Sequence, residues 1–339
     1  PVSTGSTTGG PNARRSRDLK LGFRGLCGVV AARVLSPSTC SRSRRRHPEQ
    51  PTSEGRFMFT GTGGATRSYG TLFGGLPYLS LGEGEPLVFL PGLGPNNEPP
   101  VGLERRFQAQ QVEPFAERRR VWWISRRPGL APDVTMADLA RDLADALRLK
   151  FSRPADVLGV STGGSLALQL AADHPDVVKR LVIVSAAYRL GPRGAAVQRI
   201  LAREVQAGRP RRAGAAEMAM LGAGAGSQRV FRALGWMIGR SMYGRATPDM
   251  MATIHAEDAF NLRDRLHEIS AATLVVGGER DAFYSEHLFT ETAALIPKGR
   301  LLLYEGKGHL ATSANRRTLV PDVFGFLDGP PPGGEAGSP

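Results

Sequence analysis

The sequence predicts an α/β protein, with a mostly parallel central sheet flanked by helices and an all-helical segment inserted between two late strands. Three observations predict it. Short, continuous apolar runs such as "LVFL", "VWWI" and "LVIV" have the length of strands buried on both faces. They alternate with longer stretches of helical periodicity, the pattern of crossover connections in a parallel sheet. The stretch "DVLGVSTGGSLALQLAADHP" (Asp156–Pro175) sets an apolar strand, a sharp turn and a helix directly after one another.

Each element follows in chain order. "LPYLSLGEGEPLVFLPGLG" reads as two strands joined by a Gly-Glu-Gly-Glu-Pro turn, the second strand being Leu87–Leu90. "RRRVWWIS" (Arg118–Ser125) is a further buried strand. "TMADLARDLADALRLK" is an amphipathic helix with Met136, Leu139, Leu143, Ala146 and Leu147 on one face. The strand–turn–helix unit comes next, then the strand "KRLVIVSAA" (Lys179–Ala187). Residues 188–258 are rich in Ala, Gly and Met, helical and without a convincing strand. That segment is too long for a loop and is read as a cap. "AATLVVGGERD" restores a strand, "FYSEHLFTETAALIP" a helix, "GRLLLYEGKGHL" a strand and loop, and "ANRRTLVPDVFGFL" a last helix. The expected core is therefore 58–187 and 259–328, with 329–339 a disordered tail.

Charge is uneven along the chain. Of the net +13, the first 50 residues carry ten basic and two acidic side chains, a net of +8, while the remaining 289 carry 34 and 29, a net of +5. The basic balance is thus largely a property of the N-terminus, and the folded body is not expected to bind nucleic acid. Residues 1–57 lack any periodicity that could bury a face. They read as a disordered tail, an extension upstream of a start at Met58, or an Arg-rich targeting peptide. A cytoplasmic location follows from the first two readings, and organelle targeting or export from the third. Both cysteines, Cys27 and Cys40, lie in that segment, so the body has no disulfide or thiol chemistry. No apolar run reaches the length of a membrane span, and no His, Asp or Glu cluster has metal-ligand spacing.

Ser161 is the candidate nucleophile. A tight strand-to-helix turn forces it into a strained conformation, and the residues two positions to either side must be small, as Gly159 and Gly163 are. The helix N-terminus behind it presents N–H groups suited to a developing negative charge. A Ser hydroxyl needs a base, and the base needs an orienting carboxylate. His309, in the Gly-flanked loop "EGKGHL" beyond a strand, is the expected base; His47, His174, His255, His267 and His287 fall in the tail or in solvated helical positions. Asp281, just past the strand of "TLVVGGERD", is the expected acid, and Glu279 a turn residue.

With "FLPGLG", "GVSTGG", "HPDVVKRLVIVSAA", "TLVVGGERD" and "GKGHL" in this order, the chain resembles the α/β-hydrolase-fold family from about Tyr69 to Leu327. The resemblance implies a nucleophile elbow at Ser161, the order Ser161, Asp281, His309 for the catalytic triad, and an oxyanion hole from the backbone N–H groups of Leu93 and Thr162. Many members have His-Gly where this chain has Pro91-Gly92, so the hydrogen bonding of that loop must differ.

The expected function is hydrolysis of a small, fairly apolar carboxylic ester by a serine esterase that needs no cofactor or metal. Other reactions on the same site are carbon–carbon bond, lactone or thioester hydrolysis, acyl transfer and cofactor-free perhydrolysis. A ligand-binding receptor that retains the triad is the reading from another class. In the cap, "RALGWMIGRSMYG" (Arg232–Gly244) offers Trp236, Met237, Met242 and Tyr243 as substrate-pocket residues.

Overall fold

The computed structural model describes residues 67–221 and 225–330. The N-terminal expectations, including both cysteines, the Met58 boundary and most of the C-terminal tail, lie outside the described residues. Eight strands form one sheet in the order β1 (Arg67–Leu72), β2 (Leu76–Leu81), β4 (Arg120–Ile124), β3 (Pro86–Leu90), β5 (Ala155–Val160), β6 (Val178–Val184), β7 (Ala272–Gly278) and β8 (Gly299–Tyr304). The edge strand β1 is antiparallel to β2, β2 is antiparallel to β4, and every other pairing is parallel.

The turn between β2 and β3 does not join neighbours. β4 lies between them, with Leu81 opposite Val121 on one side and Leu87 opposite Val121 on the other. The crossover that allows this is α1 (Gly102–Val112), which the sequence pattern does not reveal because most of its residues are polar or charged. α2 (Met136–Lys150) starts at a capping box, in which the Thr135 and Asp138 side chains each bond the other's backbone N–H. Its apolar stripe is buried with that of α3 (Thr162–Asp173) and the helix α8 (Glu286–Leu295) on one face of the sheet. α1 and the C-terminal helix α10 (Arg316–Asp328) cover the other face through Val112, Leu319, Val323 and Phe324.

Between β6 and β7 run four helices: α4 (Pro192–Gln206), α5 (Pro210–Ala219), α6 (Ala225–Tyr243) and α7 (Pro248–Asp258). α5 and α6 pack backbone to backbone. A Cβ added at Gly235 would meet the Gly214 carbonyl oxygen at 2.1 Å, and one at Gly239 the Pro210 oxygen at 2.4 Å. Leu201, Ala213, Tyr243, Met250 and Ile254 form a small apolar cluster there, against which Leu93 from the loop after β3 packs. No described helix is long and apolar enough to cross a membrane.

Candidate active site

The site lies at the carboxyl ends of β3, β5, β7 and β8, where a doubly covered parallel sheet gathers its loops. Ser161 sits between β5 and α3 with φ 54° and ψ −127°, a strained backbone for a residue with a Cβ. Bare backbone around it makes the turn possible. A Cβ at Gly159 would meet the Gly163 oxygen at 2.3 Å, and one at Gly163 the Leu90 oxygen at 2.2 Å.

The three residues singled out in the sequence come together. His309 Nε2 is 3.0 Å from Ser161 Oγ, and His309 Nδ1 is 2.8 Å from Asp281 Oδ2. Asp281 Oδ1 accepts from the N–H groups of Phe283 (2.9 Å) and Tyr284 (3.1 Å), which leaves Oδ2 for the imidazole. The side chain of Asp281 is fully buried and that of His309 nearly so. Phe283 packs on the His309 ring with centroids 4.6 Å apart, and Tyr284 stacks at 5.9 Å. His309 opens a short helix, α9 (His309–Ser313), where a loop was expected. Glu279 sits in the turn after β7, and its carboxylate accepts from the Gly306 N–H of the loop after β8.

The loop after β3 is held by a residue the sequence reading passed over. Arg126, buried just past β4, donates to the carbonyls of Pro91 (3.3 Å) and Gly92 (3.0 Å), and to Asn97 Oδ1 (3.4 Å). Gly92 lies against the nucleophile: a Cβ there would sit 3.4 Å from Ser161 Cβ. In a trans peptide the C=O and the following N–H point in opposite directions. Fixing the Gly92 oxygen on Arg126 therefore turns the Leu93 N–H away from Arg126. Burial lowers the Arg126 pKa to about 10, opposed by the charges of Glu257 and Asp249, so it remains a cation at neutral pH.

A second omission is Glu257, at the end of α7 and 1% exposed. It accepts from Thr162 Oγ1, Ser165 Oγ (3.0 Å), Gln198 Nε2 (3.2 Å) and the Tyr284 hydroxyl (3.2 Å). It thereby ties the first turn of α3, the helical insertion and the segment following Asp281 to one carboxylate. Its spacing gives the clue: Glu257 falls on the buried stripe of Met250, Thr253 and Ile254.

The four pocket candidates separate. Tyr243 is buried and its hydroxyl donates to Glu217. Burial raises the Glu217 pKa, countered by the Tyr243 bond and by the nearby charge of His309. Met242 packs in the same apolar cluster. Trp236 and Met237 are 49% and 65% exposed, and the guanidinium of Arg211 lies 4.4 Å from the Trp236 ring centroid. The expectation that these two line a pocket is corrected. Gly235 and Gly239 occupy the packing face of α6 and turn Trp236 and Met237 to solvent. Among the described residues, no group of three or more His, Cys, Asp or Glu could hold a metal ion.

A family model described as the alpha/beta hydrolase fold matches residues 86–315. A pimeloyl–acyl-carrier-protein methyl ester esterase of Neisseria meningitidis serogroup B is 45% identical over 62 residues, 18% of this chain and 24% of its own length. A 2-hydroxymuconate semialdehyde hydrolase of Pseudomonas putida is 34% identical over 106 residues, 30% of this chain and 37% of its own. The chain thus spans about a quarter to a third of the length of these two relatives. Among solved structures, the enol-lactonase of Burkholderia xenovorans superposes with a TM-score of 0.62 at 21% identity, covering 77% of this chain and all of that one.

Proposed function

The chain belongs to the α/β-hydrolase-fold family, and we propose that it is a serine hydrolase cleaving a small, fairly apolar carboxylic ester. One observation carries the reading: a continuous hydrogen-bond relay from Asp281 through His309 to Ser161 Oγ.

In the proposed reaction Ser161 Oγ attacks the ester carbonyl carbon while His309 Nε2 takes its proton. The Leu93 and Thr162 N–H groups stabilise the oxyanion. The Thr162 N–H opens a helix and so lacks an intrahelical partner, and Arg126 orients the peptide that carries the Leu93 N–H. Collapse breaks the bond to the alkoxide, which leaves with the proton from His309. Water then attacks the acyl-enzyme with His309 again as base, and the carboxylic acid departs. Asp281 holds the Nδ1–H tautomer and stabilises the imidazolium. The helical insertion serves as the cap, and its cluster containing Tyr243 and Met242 packs against Leu93 of the oxyanion loop, next to the acyl site. No step needs a cofactor.

The test combines covalent labelling with an ester series. A fluorophosphonate should label the chain once, and Ser161→Ala should abolish labelling and lower ester turnover by about four to six orders of magnitude. Retained labelling and turnover would remove Ser161 from the mechanism. Tight binding of an ester without multiple turnover would point to the receptor reading instead.

A further inference from the structure

The sign of the charge is not spread over the folded body. Residues 188–258 hold eleven arginines against five acids, a net of +6, whereas the rest of the chain after residue 50 holds 23 basic and 24 acidic residues, a net of −1. Within the insertion the charge concentrates further. Residues 209–245 contain seven arginines and one acid, Glu217. That acid is taken up by the Tyr243 hydroxyl. Arg209 pairs with Glu204, but Arg211, Arg212, Arg229, Arg232, Arg240 and Arg245 are exposed and make no ion pair among the described residues.

The same surface carries apolar side chains in the open. Along α6 the exposed positions Arg229, Val230, Arg232, Ala233, Trp236, Met237 and Arg240 recur three and four apart, so they share one face. Val230 is 59% exposed, and Trp236 and Met237 are of similar exposure. An apolar stripe rimmed by unpaired arginines, with an exposed indole, has the composition of a helix that lies at a membrane interface.

Charge decides between the possible occupants. The chain's own N-terminal 50 residues carry +8, and a second copy would present its own +6 insertion, so both are repelled. We propose that the solvent face of α6 docks on the surface of an anionic lipid bilayer. Arg229, Arg232 and Arg240 would meet the headgroups, while Trp236, Met237 and Val230 would enter the headgroup–acyl boundary. The proposal stands apart from the hydrolase reading, since it concerns where the chain sits and not the reaction it performs.

Trp236 supplies its own reporter, because the other two tryptophans, Trp122 and Trp123, are already buried at 5% and 3% exposure. The full chain is titrated with vesicles of one part phosphatidylglycerol to three parts phosphatidylcholine, and with phosphatidylcholine vesicles alone. Tryptophan emission should move to the blue with the anionic vesicles only, and the shift should weaken with added salt. Trp236→Phe should abolish it. The triple variant Arg229→Gln, Arg232→Gln, Arg240→Gln keeps good helix formers at exposed positions. Each basic residue near an anionic surface contributes about fivefold to binding, so the triple variant should need on the order of a hundred times more lipid for the same shift. Three results would overturn the proposal. Vesicles could co-sediment with the chain while Trp236 emission stays fixed, which would assign binding to the N-terminal arginines. Poly-glutamate could shift the emission where vesicles do not, which would point to an acidic protein. The shift could also rise with protein concentration alone, which would point to a second copy.

Discussion

Two parts of this molecule are built on bare glycine backbone, and they use it for different ends. Around Ser161, Gly159, Gly163 and Gly164 let β3, β5 and α3 meet so closely that a strained residue is held from every side. In the insertion, Gly214, Gly235 and Gly239 let α5 and α6 touch, but the contact is between two helices only. The first arrangement sits in the sheet's core, with Ser161 N–H bonded to the Val184 carbonyl of the next strand. The second packs against Leu93 of the loop after β3 through the cluster at its base and leaves much of α6 in solvent. Close packing therefore fixes a reacting atom only where three or more elements converge. Where two helices meet, it holds only those two against each other.

The largest expected effect tests the fixed side of that comparison. Asp281→Asn keeps the shape of the side chain but loses the tautomer control of His309 Nδ1. Ester turnover should fall about ten-thousandfold. Glu279→Gln, which touches only the Gly306 N–H, should cost far less. Equal, small losses in both variants would show that the relay does not carry the chemistry.

The next pair of variants sets the two glycine contacts against each other. Gly163→Ala drives a methyl into the Leu90 carbonyl, which cannot retreat without dragging β3. It should destabilise the whole chain by about 3 kcal/mol or more, at the upper end for overpacking. Gly235→Ala makes an equally short clash with the Gly214 oxygen, but α5 and α6 can separate. Its urea midpoint should stay near that of the parent, while amide exchange in 210–243 accelerates. A matching drop in both midpoints would mean that the insertion and the sheet unfold as one.

Arg126 lies on the boundary between the two parts and gives a smaller effect. Arg126→Met leaves the Leu93 N–H in place but frees its peptide to rotate. Deleting an oxyanion donor outright costs about a hundred- to a thousandfold in kcat. Loosening one should cost roughly ten- to a hundredfold, with KM little changed. Guanidine added at millimolar concentration should restore part of the loss, a response that a purely structural defect would not show. Arg126→Lys should fall short of the parent, because an ammonium cannot reproduce the planar fork that spans two carbonyls.

How much of this was readable in the sequence depended on how local the cause was. The strand–turn–helix at Ser161 is encoded within a few residues, and its glycine spacing states the steric requirement directly. His309 and Asp281 could be placed because each follows an apolar strand whose end must open onto the same edge of the sheet. The β2–β3 turn was visible but the interposed β4 was not, since turn residues say where a chain reverses and not what pairs beside it. Glu257 reaches Thr162 across 95 residues, so nothing near either one announces the contact. Arg126 stood beside Arg127, which instead pairs with Asp142 at 2.7 Å, and only the direction of the chain past β4 decides which arginine is buried. Trp236 and Met237 failed for a related reason. In an amphipathic helix large apolar residues usually mark the inner face, but here the inner face belongs to glycine.

The smallest expected effect probes the insertion's side of the comparison through Glu217. Burial raises its carboxyl pKa, so the folded chain binds this proton more tightly than the unfolded one. The sign follows from that. Below the unfolded carboxyl pKa of about 4.3 the stabilising contribution is complete, and it is lost as the pH rises through the raised folded value. Glu217→Gln keeps an acceptor for the Tyr243 hydroxyl and has nothing to titrate. Parent and variant should therefore melt alike near pH 4, and the variant should gain on the parent as the pH climbs, until the folded carboxyl has ionised. Because Glu217 sits in the insertion, the gain should appear in amide exchange of α5 and α6 more than in the global midpoint. Melting curves and exchange rates from pH 4 to 8 measure both. A variant that loses ground as the pH rises would mean that an ionised Glu217 stabilises the fold, and would remove the acid–phenol pair from the account of the insertion.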